Sequence, residues 1–83
     1  MDEYFGFGHL DIYLSVSGGS IKKVQIYSDS LFPELIEALM ESLPGNRYEP
    51  EAVRRAVLSI GERIENGKEH LQAIADWMAG QTR

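Results

Sequence analysis

Two runs of alternating residues on either side of a Gly-Gly pair constrain this chain more than any other feature. Leu10, Ile12, Leu14 and Val16 fall on one side of an extended backbone and Asp11, Tyr13 and Ser15 on the other, because successive side chains of a strand point to opposite faces. Ser17-Gly18-Gly19-Ser20 follows, and its glycines accept the positive φ of a tight reversal. From Ile21 to Tyr27 the alternation resumes, with Val24 and Ile26 opposite Lys23 and Gln25. The pattern predicts an antiparallel hairpin with one apolar face.

After Ser28-Asp29-Ser30, which reads as a turn and helix cap, the period becomes helical. Pro33 suits a first turn, and Leu35, Ile36, Leu39, Met40 and Leu43 form one stripe before Pro44-Gly45-Asn46 ends it. A second helix opens at Pro50, with Glu51 in its first turn, and buries Val53, Ala56, Val57 and Ile60 before Gly61. A third is expected from about Gly67 to Met78, with Leu71, Ile74, Ala75 and Met78 as its stripe and Trp77 beside Ile74. A tail ending in exposed Trp and Met would leave apolar area in water at roughly 25 cal/mol per Å², so this helix is expected to dock on the fold.

The fold class is therefore α+β, a small antiparallel sheet of two to three strands built on an N-terminal hairpin and packed against about three helices. A two-stranded sheet alone is marginal. A third strand is available either from the aromatic lead-in Tyr4-Phe5-Gly6-Phe7-Gly8 or from the stretch around Arg47-Tyr48, and pattern alone leaves both open.

With 83 residues, 43% of them hydrophobic, the chain reads as a single domain over 1–83. A domain of this length hides only about 60–65% of its unfolded surface, enough for a small core but not for an enclosed catalytic cavity. The absence of cysteine rules out a disulfide framework or thiolate metal site, and fits the cytoplasm. No apolar stretch approaches the roughly 18 residues of a membrane span, and the acidic Met1-Asp2-Glu3 is unlike a signal peptide. Residues 1–41 hold seven acids against two lysines, and the later Arg54-Arg55 pair is interleaved with glutamates. Such a surface repels phosphate, so no nucleic-acid partner is expected.

Candidate chemistry is sparse. Gly6-Phe7-Gly8 lacks the Lys-Ser/Thr of a phosphate loop and the third glycine of a dinucleotide fingerprint. His9 and His70 lie in different elements without ligand spacing, so structural or surface roles are expected of both. Glu34, Glu37 and Glu41 share one helix face and read as a solvated row rather than a Ca²⁺ or Mg²⁺ site. No catalytic, cofactor-binding or metal-ligating residue is assigned.

The segments Phe5-Gly6-Phe7-Gly8, the strand through Val16, Gly19-Ser20-Ile21 and Val24-Gln25-Ile26-Tyr27-Ser28-Asp29-Ser30-Leu31 together resemble the C-terminal domain of bacterial lipoate-protein ligase A. So does the ending, where Trp77-Met78-Ala79-Gly80 and Arg83 match the family's closing helix, as does Tyr48 after the first helix. The resemblance covers essentially the whole chain. It implies a scaffold like that of SufE and NifU, which favours three strands.

The resemblance also implies a non-catalytic accessory domain of an ATP-dependent ligase. The full enzyme uses ATP, Mg²⁺ and lipoate to form lipoyl-adenylate, then transfers the lipoyl group to a lysine of acceptor domains. Its catalytic lysine and nucleotide-binding segments lie in a large domain absent from this chain. The implied partners are that catalytic domain and, indirectly, the lipoyl acceptors, with no membrane. The strand face around Asp11, Tyr13 and Ser15 is the candidate docking surface. The competing reading is a stand-alone protein-interaction module without lipoate chemistry.

Overall fold

The computed structural model describes residues 1–29 and 32–82; Ser30, Leu31 and Arg83 lie outside the described residues. Strands β1 (Asp2–Phe5), β2 (Gly8–Ser17) and β3 (Ser20–Ser28) form one antiparallel sheet in the order β1-β2-β3. Helices α1 (Pro33–Ser42), α2 (Pro50–Ser59) and α3 (Leu71–Gln81) come after it in the chain. The fold is α+β, with three strands.

The predicted hairpin is β2 and β3. Ser17 pairs with Ser20, and Gly18 and Gly19 between them take φ of +60° and +79°. Positive φ at both central residues gives a two-residue turn whose twist matches that of the strands. Farther along, Ser15 pairs with Lys23 but Val16 pairs with Ile21, leaving Lys22 as an extra residue on β3. This bulge reverses the facing of the β3 residues before it, Ser20 and Ile21. A strict alternation puts Ile21 on the side of Lys23; the bulge turns it inward instead, where it is fully buried.

Both candidates for the third strand pair with the hairpin, in different ways. The lead-in supplies β1, whose Asp2, Glu3, Tyr4 and Phe5 pair with Asp11, Leu10, His9 and Gly8. Gly6-Phe7 is the turn of that hairpin, and Phe7 folds back into the core. The Arg47-Tyr48 stretch contributes a single bridge, Arg47 to Ser20. Around it, Ile21 N–H donates to Asn46 O and Gly45 N–H to Ile21 O, both at 2.8 Å. That loop thus caps the β3 backbone next to Ile21.

The core sits between the sheet's inner face and the helices. Leu10, Ile12, Ile21 and Ile26 meet Leu35, Leu39 and Leu43 of the α1 segment, Val53, Val57 and Ile60 of the α2 segment, and Ile74 and Met78 of α3. Each such side chain contributes about 1.5–3 kcal/mol on full burial. Cover thins toward the hairpin tip. Leu10 and Ile12 are buried and Leu14 is half-buried, but Val16, expected inside, is 42% exposed.

Helix ends differ from expectation in three places. The cap role of Ser28-Asp29-Ser30 is not what Asp29 does: its Oδ1 accepts the His9 backbone N–H at 2.8 Å, and Phe32, not a polar residue, holds the N-cap position of α1. The chain does not stop at Gly61 but passes through a 3-10 turn, Ile60–Glu62. The last helix begins at Leu71 after another 3-10 turn, Lys68–His70, and runs past Met78 to Gln81. Its docking is as expected, with Met78 and Ala79 buried and the Trp77 ring edge-on to Phe5 at 5.5 Å.

Candidate docking face

Because the helices cover the inner face, the outer face of the sheet is left to solvent, and alternation determines what stands on it. Register places Asp2 and Tyr4 of β1, His9, Asp11, Tyr13 and Ser15 of β2, and Lys23, Gln25 and Tyr27 of β3 on that side. The three residues expected to form a docking surface, Asp11, Tyr13 and Ser15, are all there. The first two act together, since the Tyr13 hydroxyl donates to Asp11 Oδ2 at 3.1 Å. Ser15 lies farther along, opposite Lys23.

The face is richer in aromatic side chains than the β2 strand alone indicates. Tyr27 packs edge-on against Tyr13, with ring centroids 5.9 Å apart, and Tyr4 stacks on His9 at 4.3 Å. Tyr4, Tyr27 and Tyr13 remain 77%, 60% and 56% exposed. Tyr27 was legible as the next outward position after Lys23 and Gln25. Tyr4 and His9 needed the pairing of β1, which the pattern left undecided.

Charge is arranged unevenly across this face. Asp2 and Asp11 stand directly opposite one another, an arrangement of like charges that destabilises a strand pair. His9 Nε2 lies 3.3 Å from Asp2 Oδ2, and the His9 carbonyl accepts from Ser28 Oγ at 2.7 Å. Asp11 raises the Tyr13 phenol above the ordinary tyrosine value, first through its hydrogen bond to the hydroxyl and then through its charge. An ionised phenol would lose the bond and face a carboxylate.

The remaining candidates have structural surroundings. His70 packs its ring 4.5 Å from Phe7 and 5.4 Å from Phe32. Glu34, Glu37 and Glu41 form an exposed row on α1, with Arg63 Nη2 2.8 Å from Glu41 Oε2. Among the described residues no three His, Asp or Glu side chains converge as a cation would require. A groove of about 460 Å³ runs beside the docking face, past Leu14, Lys22, Val24, Met40 and Pro44. No described helix is long and apolar enough to cross a membrane.

Comparison with known proteins bears on what such a face serves. Residues 1–78 match the family model described as bacterial lipoate protein ligase C-terminus. The match stops at Met78, so the Ala79-Gly80 ending and Arg83 lie beyond it. Lipoate-protein ligase A of Bdellovibrio bacteriovorus is 38% identical over 78 residues, which cover 94% of this chain and 23% of that relative. The chain thus spans about a quarter of the relative it matches. The match to the family model over nearly the whole chain shows that it belongs to the bacterial lipoate protein ligase C-terminus family.

Proposed function

We propose that this chain is the non-catalytic accessory part of an ATP-dependent lipoate-protein ligase and assists the activation of lipoate. In that half-reaction the lipoate carboxylate attacks the α-phosphorus of ATP, giving lipoyl-adenylate and pyrophosphate. In the second, an acceptor lysine attacks the acyl carbon and releases AMP. The observation that carries the reading is the family match along nearly the whole chain, to a segment described as a ligase C-terminus.

The contribution assigned to the chain is positional. A small domain that closes over a reactive mixed anhydride excludes water and completes a site the larger part does not form alone. The outer sheet face around Asp11, Tyr13 and Ser15 is the surface that docks. ATP, Mg²⁺ and lipoate belong to the full ligase, and no residue here is assigned to any of them. The setting is the cytoplasm, where ATP and acceptor proteins meet.

The test is ATP-dependent lipoyl-adenylate formation by the ligase polypeptide lacking this segment, with and without the 83-residue chain added in trans. Stimulation is expected. No stimulation together with no binding would refute the reading and leave a stand-alone protein-interaction module.

A further inference from the structure

We propose that the larger part of the ligase docks across the Tyr4, His9, Asp11, Tyr13 and Tyr27 face through arginine or lysine side chains of its own. The inference rests on the accessory-ligase reading and gives that dock its extent and its partner's chemistry.

Three observations converge on it. The first is the aromatic surface. Three tyrosines more than half exposed on one sheet face are held within the fold by two ring pairs and the Tyr13–Asp11 hydrogen bond, whereas Tyr is enriched at interfaces because its ring is apolar and its hydroxyl polar. The second is charge. Asp2 and Asp11 oppose one another across β1 and β2, and residues 1–46 contain no arginine. The lysine on this face, Lys23, lies opposite Ser15 at the far end. A guanidinium set between these carboxylates would relieve the repulsion and rest on a tyrosine ring, two interactions that suit a cation and no other group.

The third is where the chain enters the sheet. Met1 N donates to Ile12 O at 2.9 Å, and Ile12 N–H donates to Met1 O at 2.7 Å. Polypeptide preceding this segment, as its description as a ligase C-terminus implies for relatives, would therefore arrive at the sheet edge level with Asp11 and Tyr13. A connection there tethers the larger part at the sheet edge, next to this face.

Calorimetric titration of the chain with the cognate ligase polypeptide lacking the matching segment tests this, at two salt concentrations. Asp11→Lys and Tyr27→Ala are each expected to weaken Kd at least tenfold, and Asp11→Lys to flatten the salt dependence. Glu37→Lys, on an exposed position of α1, is the control and should stay within twofold. Circular dichroism confirms that each variant folds. Wild-type binding that neither face variant weakens would overturn the dock alone, and salt-independent wild-type binding would overturn the cationic partner. A wild-type chain that neither binds nor stimulates adenylate formation would remove the ligase reading as well.

Discussion

Gly67→Ala tests how the junction before the last helix is packed. Gly67 has φ of +89°, and a Cβ there would lie 2.9 Å from Phe32 Cγ and 3.2 Å from Phe32 Cβ. The Phe32 ring cannot simply swing away, because it lies against Phe7 at 6.2 Å and His70 at 5.4 Å. Gly45 supplies the control: its φ is +92°, but a Cβ would meet nothing within 4 Å. Gly45→Ala should therefore cost only the left-handed backbone term, about 1–2 kcal/mol. Gly67→Ala adds overpacking of about 1–3 kcal/mol, for a total of about 2–5 kcal/mol. At roughly 0.05–0.15 kcal/mol per residue, a chain this long has only about 4–12 kcal/mol of stability, so the second variant removes a large part of it. Each kcal/mol lowers Tm by about 4–8 °C in a domain of this size. Thermal and urea unfolding of both variants, followed by circular dichroism, would separate the two contributions. Equal losses from the two substitutions would show that the Phe32 contact does not hold this junction and would refute the packing argument.

Met78→Ala should cost about 2–5 kcal/mol, as for a fully buried side chain, whereas Val16→Ala, on the same apolar pattern but 42% exposed, should cost less than about 1 kcal/mol; urea unfolding compares them. NMR titration of Tyr13 should find it ionising above the ordinary value, and Asp11→Asn should bring it down, since Asp11 is the largest cause of the rise. The sign for stability is set by that rise: a raised folded-state value means that the Tyr13–Asp11 contribution is present below the unfolded tyrosine value of about 10 and is lost as pH rises through the folded one.

Much of the fold was legible because its signals are local. The Ser17–Ser20 reversal, the proline starts at Pro33 and Pro50, and the stripes of all three helices lie where periodicity and turn chemistry placed them. Asp11, Tyr13 and Ser15 were legible as one outward face for the same reason. β1 was not, because Asp2-Glu3-Tyr4-Phe5 has no apolar alternation and is held by backbone pairing to β2. Ile21 is buried through the Lys22 bulge and the loop against β3, and Val16 is exposed because the helices do not reach the hairpin tip; neither leaves a side-chain pattern. Asp29 was misread as a cap because its partner, the His9 N–H, lies 20 residues away.

Sequence by itself determined the hairpin, the three amphipathic helices, the α+β class and the family, since each is written in short-range spacing or in residue order. Tertiary structure alone decided which lead-in became a strand, how far the helices cover the sheet, and that Tyr4, His9 and Tyr27 stand with Asp11 and Tyr13 on one open face. Those outcomes depend on contacts between residues far apart in the chain, where backbone hydrogen bonds and the reach of neighbouring elements outweigh any local preference.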